Sequence, residues 1–129
     1  MKILVNVSLG ELVDKITILR IKSKKIHEEG KALLIRDELG ALEKSLNELK
    51  LDNVMIEGFL KDLEEVNTQL WEIEDAIREK ERCKEFDAEF IELARKVYLT
   101  NDNRFLIKNN CNETFGSRFK EVKSYQKYT

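Results

Sequence analysis

The chain reads as all-α: an antiparallel helical hairpin or bundle of about five helices, preceded by a short N-terminal strand or extended arm. Three observations predict this. The 129 residues contain no proline, where ordinary usage near 5% would place about six. Apolar residues recur at alternating threes and fours over most of the length, which is the helical period. Strand-like character is confined to the apolar run from Lys2 to Val7. Residues 1–129 form a single helical domain, long enough to bury roughly two-thirds of its unfolded surface.

Residues 1–7 are the arm or strand. A lone strand is marginal, so it pairs with residues 121–128, with another copy or with a partner, or else lies on the core. Ile3, Val5 and Val7 are its candidate interface residues. Residues 8–29 form the central helix. Ser8 followed three residues later by Glu11 is a capping box: the serine accepts from the Glu11 amide and the glutamate reaches back to the Ser8 amide. At about 100° per residue, Leu9, Leu12, Val13, Ile16, Leu19 and Ile26 share one wide face while Ile18 and Ile21 point nearly opposite. That leaves Glu11, Lys15 and Lys22 as the solvated stripe. A helix apolar on two faces is sandwiched between others.

Gly30 suits the position just past that helix. A second helix, about 31–49, carries Ala32, Ile35, Leu39, Leu42, Leu46 and Leu49. A third, about 56–82, carries Ile56, Phe59, Leu63, Val66, Leu70, Ile73 and Ile77. Both are heptad seams, and the short connection makes residues 31–82 an antiparallel hairpin. Spanning roughly 27 Å and 40 Å respectively, the two differ enough that the third helix overhangs unless the central helix or the C-terminal helices cover its far end. Trp71 lies off the seam, as a packing residue or interface anchor before a ligand platform. Residues 86–116 hold two shorter helices, the first to Leu99 and the second following a turn at Thr100–Asn103 and ending at Gly116. The tail, 117–129, mixes Arg118, Lys120, Lys123 and Lys127 with Phe119, Tyr125 and Tyr128.

Within this frame a few polar residues stand out. Asp14, Thr17 and Arg20 lie on or beside the apolar faces of the central helix. With Arg95 and Arg104 they make a candidate polar pocket in which arginines clamp a small anion and Asp14 orients it or acts as a base. The bland alternative is that Asp14 forms a structural ion pair and Arg20 runs its methylenes along the surface. The predicted helix start at Asn101–Arg104 adds free amides suited to an anion.

Other chemistries are excluded or disfavoured. One histidine, His27, and two separated cysteines, Cys83 and Cys111, form neither a metal-ligand cluster nor a disulfide framework. Phosphate loops, dinucleotide loops and nucleophile motifs are absent, so neither metal nor cofactor is expected. Nothing approaches the roughly 20 apolar residues of a membrane span, and reduced thiols fit a cytoplasmic location. Residues 1–50 carry net charge +2, residues 51–90 carry −8, and residues 91–129 carry +4. An acidic middle beside a basic end suggests complementarity within the chain or between copies, and argues against nucleic acid because duplex binding rests on cations.

The run N-V-S-L-G-E-L-V-D-K-I-T-I-L-R-I-K, Asn6 to Lys22, resembles the opening of an uncharacterised bacterial family of small proteins known only as a domain of unknown function. The stretches Trp71-Glu72-Ile73-Glu74-Asp75 and Phe90-Ile91-Glu92-Leu93-Ala94-Arg95 are similar to the same family. Members sometimes lie near genes for surface-polysaccharide synthesis. The resemblance implies a fold and that setting, and carries over no catalytic residue.

Three functions follow as expectations. The first is a non-catalytic interaction or oligomerisation module, a homo-oligomer or a partner for another protein, in that polysaccharide setting. Second comes a small all-helical enzyme or anion binder using the pocket beside residues 8–29. Third is nucleic-acid binding through the basic tail.

Overall fold

The structure, a computed structural model, describes residues 1–117 and 122. Four helices follow in order: α1 (Leu9–Lys25), α2 (Glu29–Glu48), α3 (Asn53–Arg82) and α4 (Ala88–Phe115). No strand occurs among the described residues, so the arm, residues 1–7, is neither helix nor strand. The tail beyond Ser117 lies outside the described residues, apart from Val122. α1 starts where the capping box places it, with the Ser8 hydroxyl accepting from the Glu11 amide at 3.1 Å. The reciprocal half of the box is not made. The Glu11 carboxylate pairs instead with Lys108 Nζ at 2.8 Å, which ties the first turn of α1 to α4.

α1 stops at Lys25, earlier than Gly30. Ile26 caps it in an extended conformation and the chain is again extended at Glu28, the residue before α2. Neither residue needs a positive φ, so glycine is not required there, and Gly30 falls in the first turn of α2. The positions that do adopt positive φ are Lys50 and Lys84, after α2 and α3, and Gly116 after α4. At Lys84 the amides of Lys84 and Glu85 bond back to Glu81 and Lys80, closing α3 with a Schellman turn in which lysine occupies the usual glycine position.

The central helix is sandwiched, as its two apolar faces require. α1 packs against α2, α3 and α4, whereas α2 approaches α1 alone. Residues 31–82 are therefore not a hairpin. The apolar seam of α2, with Ile35 and Leu46 buried and Leu39 and Leu42 packed on the core, is turned to α1, and the antiparallel pair is α3 with α4. Two apolar faces on α1 need two covers, and α2 supplies one of them. The core joins Val13 and Ile16 to Leu46, Ile56, Leu60, Leu63, Val66 and Cys111. An edge-on contact of Phe59 with Phe115, centroids 6.1 Å apart, lies between α3 and α4 near the α1 N-terminus.

α4 is one continuous helix and not two. From Ala88 to Phe115 there is neither glycine nor proline to stop it, and the turn chemistry of Asn101, Asp102 and Asn103 is overridden by tertiary contacts made from adjacent positions. The free amides expected at Asn101–Arg104 are thus spent inside a helix. Gly116, left-handed at φ 66°, ends it. Between Asn67 and Lys108 not one residue is buried. The α3–α4 pair therefore continues beyond the buried core, with Thr68–Arg82 extending roughly 22 Å at the helical rise and its nearer part bordering α1 across an open groove. Its tip is closed by Phe86 edge-on to Phe90 and by Lys80, which meets the carboxylates of Glu85, Asp87 and Glu89 at 3.0–3.1 Å. Those three hydrogen bonds, Asp87 foremost, push the Lys80 ammonium above its ordinary pKa.

Candidate functional site

A closed polar network sits where α1 crosses the α3–α4 pair. Asp14, 1% exposed, is held there because its helical position lies between Val13 and Ile16, both fully buried. Burying a carboxylate costs several kcal/mol unless it is paired and hydrogen-bonded, and here it is both. Arg104 on α4 donates Nε to Asp14 Oδ1 at 2.9 Å and Nη2 to Oδ2, a bidentate fork. Asn67 on α3 donates its amide to Asp14 Oδ1 at 2.8 Å and to the Thr17 hydroxyl oxygen at 2.9 Å. Thr17 in turn donates to the Asp14 carbonyl at 2.7 Å. The Asn67 orientation follows from chemistry, since only its NH₂ can donate to a carboxylate.

Three of the five pocket residues thus converge: Asp14, Thr17 and Arg104. Arg20 and Arg95 do not. Arg20 lies on the other side of α1, its Nη2 on Glu43 of α2 at 2.9 Å. Arg95 is on the projecting part of α4, 3.6 Å from Glu92, and Tyr98 followed by Glu92 raises its pKa. The guanidiniums of Arg20, Arg95 and Arg104 each face a carboxylate, so the arrangement is a set of internal ion pairs and not an anion clamp.

Outside the network an open groove of about 430 Å³ runs between α1, α3 and α4. Ile18, Ile21 and Leu70 floor it, Trp71 stands at its side, and Glu74, Asp75 and Arg78 line the α3 wall. Trp71 is half-buried here, facing the groove and not a helix seam. Asn67 and Arg104 separate the groove from the Asp14 carboxylate. A second, smaller set of polar contacts lies one turn nearer the α1 N-terminus: the Gly10 amide donates to Asn112 Oδ1 at 2.6 Å and the Leu9 amide to Ser117 Oγ at 3.1 Å.

Asn67 is absent from the residues that the sequence pattern picks out, and Asn101, picked out there only as part of a helix start, instead approaches Arg104 with its side-chain oxygen at 3.5 Å. For Asn67 the sequence does hold a signal: it falls four residues after Leu63 and three before Leu70, an apolar position occupied by an amide. No group of three metal-ligating side chains occurs among the described residues, and no helix there is long and apolar enough to cross a membrane.

The two thiols differ sharply. Cys111 is fully buried and burial alone pushes its pKa up to about 11. Cys83 is exposed at the α3 terminus, where desolvation and then the Glu79 carboxylate raise it. Since the thiolate is the nucleophile, the native chain is expected to take up one equivalent of iodoacetamide, at Cys83, faster as pH rises, and a second only on denaturation. Peptide mapping of the labelled cysteine checks this. Comparison of the whole chain with protein-family models, with characterised proteins and with solved structures finds no match to any.

Proposed function

We propose that this chain is a helical interaction module that pairs with a second copy of itself through the arm, residues 1–7. The observation that carries the reading is the state of that arm. Ile3, Leu4 and Val5 are 73%, 86% and 73% exposed and Val7 is 48% exposed, while none of the arm's backbone groups is hydrogen-bonded to another described residue. An exposed apolar segment with unpaired N–H and C=O groups is a template for strand pairing.

Its surroundings favour a second copy as the occupant. A shallow groove at the arm's root is lined by Val5, Val7, Leu9, Leu12 and Leu49. Leu49, and Val54 and Met55 shortly after it in sequence, are themselves exposed. Successive side chains of a strand alternate, so in an arm paired as a strand Ile3, Val5 and Val7 share one side. Two arms related by a twofold axis supply each other with both a hydrogen-bonding edge and an apolar bed, the self-complementary arrangement of an isologous dimer. The resemblance of Asn6–Lys22 to a family found near surface-polysaccharide genes supports an accessory role in that setting.

Light scattering over a concentration series tests the reading. The full chain is expected at dimer mass, and a version lacking residues 1–7 at monomer mass with unchanged helicity. A full chain that stays monomeric at every concentration overturns it, as does a dimer that survives removal of the arm.

A further inference from the structure

The groove beside Trp71 shares no lining residue with the one at the root of the arm, and its chemistry points in a definite direction. Asn67 is only 6% exposed, and its NH₂ is spent inward on Asp14 and Thr17. Its carbonyl oxygen has no hydrogen-bond partner among the described residues, and it is not among the sealed, unpartnered atoms of the interior. It is therefore an acceptor turned toward the groove that Asn67 lines. On the same wall Asp75 is exposed and forms no ion pair among the described residues, while Glu74 offers one carboxylate oxygen to Arg78 at 3.3 Å.

Carboxylates thus outnumber guanidiniums around the groove: Asp14, Glu74 and Asp75 against Arg78 and Arg104. Arg78 is matched by Glu74 and Arg104 by Asp14, so an incoming anion meets neutralised guanidiniums together with the unmatched charge of Asp75. A primary ammonium fits better. It brings three N–H donors and no acceptor, suits a carbonyl and carboxylates at once, and is attracted to the face of a tryptophan. The apolar floor of Ile18, Ile21 and Leu70 accommodates a short alkyl stem. Residues 51–90, which include the α3 wall, carry net charge −8, a field that concentrates cations. We infer that the groove formed by Asn67, Trp71 and Asp75 binds a small alkylammonium, a free amine with an apolar stem.

The chain contains a single tryptophan, so its fluorescence reports directly on this groove. The test titrates the full chain with 1,5-diaminopentane at constant ionic strength, following Trp71 emission and backbone amide NMR shifts, with 1,5-pentanediol and glutarate as neutral and anionic controls of equal length. The diamine is expected to give a saturable change localised to α3 and α1, with both controls at least about tenfold weaker. Asp75→Asn, an exposed substitution, is expected to weaken the diamine about tenfold. Asp62→Asn, exposed on α3 outside the groove, leaves it unchanged. No saturable response by either readout, an equal response to the diol or to glutarate, or full affinity in Asp75→Asn overturns the inference.

Discussion

Replacing Asp14 by alanine is expected to destabilise the fold by about 3–5 kcal/mol, the cost of stranding one member of a buried ion pair. Asp14 is nearly inaccessible and Arg104 retains 26% of its side-chain exposure, so the charge left behind is only partly relieved by water. The same change removes an acceptor from Asn67, an amide that is itself almost fully buried and whose unmet donor adds to the loss. Urea unfolding measures the effect. A double replacement, Asp14→Leu with Arg104→Met, is expected to recover much of the stability, because an apolar pair of similar volume avoids the desolvation of two charges. A single-mutant cost below about 1 kcal/mol would show that the pair is solvated and not buried.

The second large effect is at Gly10. A Cβ there would sit 2.5 Å from the Lys108 carbonyl oxygen and 3.0 Å from Asn112 Oδ1. The nearer obstacle is helix backbone, which has no rotamer to yield, so α1 must separate from α4 and stretch the 2.6 Å bond from the Gly10 amide to Asn112. Gly10→Ala is expected to cost about 2–4 kcal/mol, from overpacking together with the weakened hydrogen bond. Gly40, exposed in α2 with nothing within 4 Å of the place a methyl would take, is the internal comparison. There the same substitution gains about 0.5–1 kcal/mol from helix propensity alone. Thermal or urea melts of the two variants, moving in opposite directions, check both.

The local signals at the start of α1 hold in this chain, and the pairing signals do not. The Ser8 cap, the start at Leu9 and the two-faced burial of α1 are properties of one short segment, and each is legible in its spacing. The α2 and α3 seams are equally legible as apolar faces, but periodicity says which way a face points along its own helix and not which helix it meets. Adjacency in sequence favours α2 with α3, whereas the second apolar face of α1 draws α2 away. The continuity of α4 is hidden for a related reason. Asn101, Asp102 and Asn103 carry capping chemistry by default, and the reason to stay helical, the placing of Arg104 against Asp14, lies ninety positions away in the chain.

Asp14 stands out in the sequence for being polar in apolar company and Arg104 as a candidate clamp arginine, and the structure brings them together. Their partner Asn67 is easily overlooked because the apolar spacing of α3 runs through its neighbour Val66. Arg20 fits the plainer reading, its methylenes on the surface and its charge on Glu43.

That ninety-residue separation also orders events during synthesis. α1, the helix every other one leans on, emerges first, yet its buried carboxylate has no counter-charge, and its first turn no anchor at Asn112, until α4 has been made. Until then α1 lacks the part of its cover that α4 provides. Contacts this distant along the chain slow folding and prolong the exposure that leads to aggregation. The stretch that ends at Lys25 thus stays incompletely covered for as long as the last helix is still being made.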